Sequence, residues 1–557
     1  MREINLRPWQ AECSRKALEW LRLGSDRHFL INAAPGAGKT ICASFIAREL
    51  INSSEIERVI VIAPRKAVVK QWAEEFKFVT GRQMLQITGA DEEPEDYGLD
   101  LCITWSAVQS ALDGLHAVCT ASNTLVICDE HHHAAVEAAW GRGADGAFAN
   151  AKFALILTGT PIRSDGQESV WVAYDDQGEI KHPEDGTYTL TYGKAVDLEY
   201  CRPITFHRHE GRFSVKLEDG EQISVSGTTD LNLDGALKKI RGLQQALDYY
   251  KLACTPKFLA NGKPDTASYQ ASMLEWCISK LDDLRLRMPE AAGLVIAPNI
   301  PVAEYMAHLL EILDGEKPTV VHNRVANADA KIAAFRESSK RWIVSVAMIS
   351  EGVDIQRLRV LAYLPFAQTE LSFRQAIGRV VRNFGPRDDT RAYVVMPTHK
   401  IFEEYARRVE AEMSPAHLVK SDADILPQEK KCRDCGAPNP TTATACGQCD
   451  SEFPPRTLRM IPCEECEGLN PVALSSCQFC GKKFGHQFEI SLKEALRVGA
   501  IVRGMDLEEG EVLEGEAIRD KFRAEILKSG DENVIKLLRL LPEESLGRLA
   551  RILNESR

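Results

Sequence analysis

Short apolar runs, each followed by a longer stretch of mixed polarity, recur along most of this chain. Phe29-Leu30-Ile31, Val59-Ile60-Val61-Ile62, Leu125-Val126-Ile127 and Phe153-Ala154-Leu155-Ile156-Leu157 are too short for buried helices and read as buried strands. Segments between them, such as Ile41-Cys42-Ala43-Ser44-Phe45-Ile46-Ala47, have helical character. Strands that alternate with helices predict an α/β fold in which a parallel sheet is covered by helices. The pattern resumes at Gly293-Leu294-Val295-Ile296-Ala297-Pro298-Asn299, continues through Thr319-Val320-Val321-His322 and Trp342-Ile343-Val344-Ser345-Val346, and ends near Tyr393-Val394-Val395-Met396-Pro397. The expectation is two α/β lobes, over residues 1–226 and 291–427, with a cleft between them.

The segments outside the lobes are less regular. Arg212-Phe213-Ser214-Val215-Lys216-Leu217 and Gln222-Ile223-Ser224-Val225, joined by Glu218-Asp219-Gly220-Glu221, predict a β-hairpin with an Asp-Gly turn. Residues 227–290 read as polar helices and a loop at Asn261-Gly262-Lys263-Pro264, a helical linker or insertion. Residues 486–557 read as a small, acidic, helical C-terminal region. Its amphipathic stretches, Ile535 to Leu541 and Leu546 to Leu553, would pack on the parent domain or dock a protein partner.

At 557 residues the chain is too long for one core, and 27% charged against 44% hydrophobic residues is ordinary globular composition. Met1-Arg2-Glu3-Ile4-Asn5 is not a signal peptide, and no apolar run reaches the roughly 18 residues of a membrane helix. A cytoplasmic protein with no membrane partner is expected. Sixteen cysteines then need an explanation. Eight lie singly between Cys13 and Cys277 and read as small buried hydrophobes. The other eight form Cys432-x2-Cys435-x10-Cys446-x2-Cys449 and Cys463-x2-Cys466-x10-Cys477-x2-Cys480, and every one recurs after 31 positions (463 − 432 = 31; 480 − 449 = 31). Asn439-Pro440 and Asn470-Pro471 repeat with them, as do Phe453 and Phe484. Paired CxxC turns supply four thiolates to a tetrahedral Zn²⁺, so residues 430–485 resemble a double zinc ribbon holding two structural Zn²⁺. Disulfides fit a reducing compartment poorly, and no thioredoxin-like βαβ pattern surrounds the CxxC pairs to make them redox-active. Lys430, Lys431, Arg433, Lys482 and Lys483 are offset by Asp434, Glu464 and Glu465, so the module suits either nucleic acid or a protein.

The densest chemistry lies at Ala33-Ala34-Pro35-Gly36-Ala37-Gly38-Lys39-Thr40, between a strand and a helix. Backbone N–H groups around Gly36 and Gly38 can close on phosphate oxygens, Lys39 can reach the β- and γ-phosphates, and the Thr40 hydroxyl can hold Mg²⁺. Leu125-Val126-Ile127-Cys128-Asp129-Glu130 is an apolar strand that ends in two carboxylates: Asp129 suits the metal and Glu130 the attacking water. His131, His132 and His133 splay apart at a helix start and make a poor metal cluster.

These motifs resemble a superfamily 2 helicase or translocase of the DExH type, close in style to bacterial RadD-like proteins and the motor subunits of restriction enzymes. The resemblance covers about residues 1 to 425. It also rests on Leu6-Arg7-Pro8-Trp9-Gln10, on Val61-Ile62-Ala63-Pro64-Arg65-Lys66 with Gln71-Trp72 (motif Ia), and on Thr158-Gly159-Thr160-Pro161 with Arg163 (motif III). Ser350-Glu351-Gly352-Val353-Asp354-Ile355 stands for motif V and Gln375-Ala376-Ile377-Gly378-Arg379-Val380-Val381-Arg382 for motif VI. Trp9 where Tyr is usual, and Ala33 where the general phosphate loop has Gly, are small departures. The resemblance implies two tandem RecA-like lobes that bind ATP and Mg²⁺. It implies an adenine-reading Gln10, catalytic roles for Lys39, Glu130, Arg379 and Arg382, and nucleotide contacts from Gly36, Gly38, Thr40, Asp129, Gly352, Asp354 and Gln375. His132, Thr158 and Thr160 would couple hydrolysis to movement, and Pro64, Arg65, Lys66, Pro298 and Asn299 would touch nucleic acid. Arg379 and Arg382 are three apart and would share one helix face. As arginine fingers from the second lobe they would supply on the order of 10³–10⁵ in rate.

A net charge of −12 tempers the expected grip on nucleic acid, although Arg65, Lys66, Lys70, Arg374, Arg379, Arg382, Arg387 and Arg391 offer local positive density. Two classes fit: an ATP-driven motor, with DNA favoured over RNA, in repair, replication restart or anti-phage defence; or an ATP-gated clamp that binds without unwinding. RNA stays open as a substrate.

Overall fold

The computed structural model describes residues 4–24, 26–89, 99–131, 145–159, 171–174, 180–216, 222–227, 248–346, 355–383, 388, 390–418, 429–432, 435–440, 443, 445–451, 460–463, 465–466, 468–471, 477–482 and 487–491. The first lobe is built on β1 (His28–Ala33), β2 (Arg58–Ala63), β3 (Leu85–Ile87), β4 (Leu101–Thr104), β5 (Thr124–Cys128), β6 (Phe153–Thr158) and, beyond the small antiparallel pair β7 (Ala173–Tyr174) and β8 (Ile180–Lys181), β9 (Thr187–Leu190). The order across the sheet is β3-β4-β2-β5-β6-β1-β9, with every pair parallel. β5 and β6 are buried at every position, which is why their sequences are unbroken apolar runs rather than alternating ones. The chain leaves β1 and returns at β2, with β6 and β5 between them. The carboxyl ends of β1, β6 and β5 therefore stand side by side, the position where open α/β sheets bind ligands.

The second lobe has a six-stranded parallel sheet: β10 (Ile204–His209), β13 (Ala292–Ile296), β14 (Thr319–Val321), β15 (Trp342–Ser345), β16 (Leu358–Tyr363) and β17 (Ala392–Pro397), in the order β10-β17-β16-β13-β15-β14. Here two expected boundaries move. β10 pairs with β17, from Ile204↔Ala392 to His209↔Pro397, so the lobes divide just before β10 and not at residue 226. Its sequence hides this because two of its inward positions are histidines. His207 stacks on Trp276 at 4.4 Å between ring centroids, and His209 Nε2 lies 2.8 Å from Ser272 Oγ. Nor is 227–290 a linker throughout. The helix Tyr269–Arg287, capped by Ser268, buries Met273, Leu274, Cys277, Ile278 and Leu281 and packs on β16 and β17.

The predicted hairpin is present as β11 (Arg212–Lys216) and β12 (Gln222–Ser226), antiparallel, with Lys216 opposite Gln222. In the ribbon region β18 (Glu429–Lys431) pairs with β19 (Pro438–Pro440), and β20 (Met460–Pro462) with β21 (Leu469–Pro471). The chain then returns as β22 (Gln487–Ser491), parallel to β11, where Phe488 packs 5.4 Å from the Phe213 ring and 5.5 Å from Tyr269. The described start of the expected helical C-terminal region is thus a strand; the two amphipathic stretches lie outside the described residues. Among the described residues no helix is long and apolar enough to cross a membrane.

Candidate active site and metal centres

The phosphate loop joins β1 to the helix Lys39–Asn52, whose first turn takes no side-chain cap and so keeps its amides for a ligand. Gly36 and Gly38 sit at φ +80° and +97°, where an L side chain is strained. The loop's carbonyls are held from behind: Arg7 Nη1 and Trp9 Nε1 donate to Ala37 O at 2.8 and 3.2 Å, and Gln10 Nε2 donates to Gly38 O at 2.9 Å. Gln10 therefore lies beside the loop and braces it, its Oε1 also accepting from Arg7 N at 2.8 Å. Trp9 shares that duty through its indole N–H, a handle that tyrosine would present differently. Lys39 Nζ donates to Ala33 O at 2.9 Å, and burial pushes its pKa down while Glu130 and Asp129 pull the other way.

The two carboxylates follow β5. Trp72 Nε1 donates to Asp129 Oδ2 at 2.7 Å, and Trp105 Nε1 to the Asp129 carbonyl at 3.2 Å. Burial first, and then the neighbouring Glu130, raise Asp129 to about 6. Glu130 adopts φ +48°, a left-handed conformation that costs about 1 kcal/mol and aims its side chain independently of the strand. A Cβ on Gly159, just after β6, would lie 2.9 Å from Lys39 Nζ, so the motif III turn abuts the lysine, with Thr158 buried opposite Asn32. A buried cation, two carboxylates and an uncapped helix start fit a triphosphate with its divalent ion; the ion would supply charge neutralisation between Asp129, Thr40 and the phosphates.

The second lobe reaches this loop directly. A Cβ on Gly36 would meet Arg382 Cγ at 2.9 Å, and one on Gly378 would meet Pro35 Cγ at 2.9 Å. The expected helix face is not the reason. The helix Glu370–Ile377 carries buried Gln375 but ends before Arg379, which lies in the turn beyond it, with Arg382 past that turn. Arg382 is brought to the loop by an antiparallel bridge to Cys201. Arg379 is buried, 7% exposed. Cys201 and Arg202, which lie between the lobes, carry no motif and escaped the sequence reading; Trp72 was visible beside motif Ia without an assigned role.

Of the expected nucleic-acid residues, Lys66 is exposed at the start of the helix Lys66–Thr80, which follows Pro64 and has Arg65 at its N-cap. Asn299 caps the helix Ile300–Asp314 through Oδ1, 3.0 Å from Val302 N, so its side chain is committed locally. Arg374 is held by Glu370 at 2.9 Å and Glu412 at 2.7 Å, and Arg391 by Thr205 and the carbonyls of Ile204 and His417. Arg374 is thus neutralised by two carboxylates, while Arg391 is held by neutral groups and keeps its charge. His132, Thr160, Gly352, Asp354 and Arg387 lie outside the described residues.

The C-terminal cysteines close into two local sets. The four Sγ atoms of Cys432, Cys435, Cys446 and Cys449 lie within 4.8 Å of one another, as do those of Cys463, Cys466, Cys477 and Cys480. Neighbouring sulfurs are 3.4 to 3.6 Å apart, near the roughly 3.8 Å edge of a ZnS₄ tetrahedron. Asn439 Nδ2 donates to Cys446 Sγ at 3.5 Å and Asn470 Nδ2 to Cys477 Sγ at 3.4 Å, which explains why the Asn-Pro pair repeats with the cysteines. The eight other cysteines are all free and buried.

Comparisons with known proteins agree with this geometry. Residues 3–163 match the family described as type III restriction enzyme, res subunit, and residues 277–384 match the helicase conserved C-terminal domain. An uncharacterized protein of Mycobacterium leprae is 30% identical over 452 residues, covering 80% of this chain and 70% of its own length. One of Mycobacterium tuberculosis (strain H37Rv) is 32% identical over 401 residues, and this chain spans 61% of its length. A DNA-bound, ATP-dependent Type ISP restriction-modification enzyme, LlaBIII, overlays 71% of this chain and 28% of its own with 15% identity and a TM-score of 0.45. With the restriction-enzyme res family matched on one side of the nucleotide cleft, the helicase C-terminal domain on the other, and a relative 30% identical covered over 70% of its length, the chain belongs to the superfamily 2 helicases, with a first lobe of the restriction-motor type.

Proposed function

We propose that the chain is an ATP-driven motor that moves on DNA, in repair, replication restart or defence against foreign DNA. The observation that carries this reading is the seating of Arg382, from the second lobe, on the phosphate loop of the first. A site completed only when two lobes meet makes hydrolysis depend on closure, and closure moves whatever the lobes hold. In this reading Lys39 and Thr40 bind phosphate and Mg²⁺, Asp129 orients the metal, and Glu130 takes the proton of the attacking water. Arg382, with Arg379, neutralises charge on the departing phosphate. The basic, uncapped start of the helix Lys66–Thr80 suits a backbone phosphate, and the two Cys₄ sets hold structural Zn²⁺. The test is ATP turnover with single-stranded, duplex and forked DNA and with RNA, followed by strand displacement on the best activator. Stimulation by DNA supports the reading. Stimulation by RNA alone moves the substrate. Nucleic-acid binding without stimulated turnover or movement makes the protein an ATP-gated clamp.

A further inference from the structure

We infer that Arg202, in the segment joining the two lobes, is a positioning residue that holds Arg382 against the phosphate loop through a buried buckle shared with Asp388 and Arg359. The inference rests on the reading of Arg382 as the charge delivered to the γ-phosphate. Arg202 grips the Arg382 peptide from both sides: its backbone N–H donates to Val381 O at 2.8 Å, and its guanidinium donates to the Arg382 carbonyl. One residue earlier, Cys201 forms the bridge to Arg382 and its thiol lies 3.2 Å from Pro35 O on the phosphate loop. Asn383 adds a third tie, Nδ2 to Glu199 O at 2.9 Å. The connector thus runs between the two halves of the ATP site and touches both.

The buckle anchors it. Asp388 Oδ2 accepts from Arg202 Nη2 at 2.6 Å and from Arg359 Nη2 at 2.7 Å, while Asp388 Oδ1 accepts from Thr390 N at 3.1 Å. Both guanidiniums are fully buried, and Asp388 is 4% exposed. Arg202 Nη1 also donates to Leu358 O at 3.1 Å, which fixes the group to β16 of the second sheet.

Two buried guanidiniums on one carboxylate are a poor choice for stability alone. Burial, followed by the repulsion of Arg359, depresses Arg202 to about 9, and its Nε finds no partner among the described residues. Replacing a whole buried ionic group by apolar side chains is often neutral or stabilising; Arg202→Met leaves Arg359 on Asp388 and takes a donor from the carbonyls of Leu358 and Arg382. A merely structural Arg202 would not change kcat in the folded protein. A residue that fixes the Arg382 main chain would, because a shift of about 1 Å in a group acting on the transition state can cost about 100-fold in rate.

The experiment compares full-length Arg202→Met, Arg202→Lys and Arg382→Ala by ATP turnover, by binding of a fluorescent ATP analogue, and by Tm. Arg202→Met is expected to keep nucleotide affinity and KM and to lower kcat about 100-fold at temperatures well below its Tm. Arg202→Lys, which keeps the charge and loses the fork, should fall between it and the parent. If Arg382→Ala turns over normally, the underlying reading of the finger fails. If Arg382→Ala is impaired while Arg202→Met is not, the finger stands and this inference is overturned. A kcat loss in Arg202→Met that accompanies a fallen Tm and disappears on cooling makes Arg202 a structural residue, which also overturns it.

Discussion

The two faces of the nucleotide cleft are held in different ways. On the first lobe each site residue lies just past the carboxyl end of a strand: Lys39 beyond the loop after β1, Asp129 and Glu130 after β5, Gly159 after β6. Their positions are set by local turn geometry, above all by the left-handed Gly36 and Gly38, and by hydrogen bonds from residues 7–10. On the second lobe Arg382 stands beyond the end of its helix and owes its place to Cys201, Arg202 and Asp388, residues with no motif of their own. One face is preformed by contacts within its own lobe, while the other is placed by the segment that joins the lobes. The first should bind nucleotide, and the second should respond to what the lobes are doing.

The largest effects should come from breaking the preformed face. Lys39→Ala is expected to lose ATP affinity together with turnover, because its charge meets phosphate in the ground state as well as in the transition state. Glu130→Gln should keep affinity and lose turnover, the group being needed only to handle water. A Glu130→Gln protein with near-normal turnover would put the general base elsewhere. Asp129 adds a stability readout. Its folded pKa of about 6 lies above the roughly 3.9 of an unfolded aspartate, so the native state binds the extra proton between these values. Stability therefore falls as pH rises from about 4 to 6 and stays reduced above 6. Asp129→Asn should abolish turnover yet raise Tm in metal-free protein at pH 8, with a gain that shrinks at pH 5. An equal Tm change at both pH values would show that the carboxylate is not strained by burial.

Breaking the assembled face should touch turnover alone. Arg382→Ala is expected to lower kcat by about 10³-fold or more with ATP binding little changed. Equal loss of affinity and turnover would mean that Arg382 is a ground-state contact and the contrast between the faces is false.

The same contrast explains what the sequence disclosed. Both sheets, the phosphate loop, the carboxylate pair and the Cys₄ repeats were legible because strand periodicity, glycine turns and thiol spacing act over a few residues. β10 was misassigned because buried His207 and His209 look polar until Trp276 and Ser272 are seen against them. The helix Tyr269–Arg287 read as part of a linker or insertion because its charged residues mask a largely buried face. Arg374 and Arg391 looked free because nothing nearby in sequence announces Glu412 or the carbonyl of His417. Arg202 was silent for the same reason: its role is defined wholly by residues far along the chain.

The smallest effect on turnover should come from removing metal, although it is the largest on the ribbons themselves. Zn²⁺ in small Cys₄ modules is worth about 10–16 kcal/mol of apparent binding energy, more than such a module gains from its few apolar contacts. One cysteine pair of each set is exposed, Cys435 with Cys449 and Cys466 with Cys480, so a chelator has access. Both ends of the ribbon region are nevertheless anchored outside it. The chain leaves from the helix Lys400–Glu412 and returns as β22, whose ladder with β11 and whose Phe488 belong to the second lobe's side of the molecule. Chelation should therefore release two Zn²⁺ per chain, unfold the ribbons as a loop clamped at both ends, and leave basal ATPase near its starting rate. Loss of ATPase on chelation would mean that the ribbons brace the motor. Because each set closes within its own repeat, Cys435→Ser should lose one Zn²⁺ and keep the other. Loss of both from that single change would mean that the eight thiols form one interleaved centre.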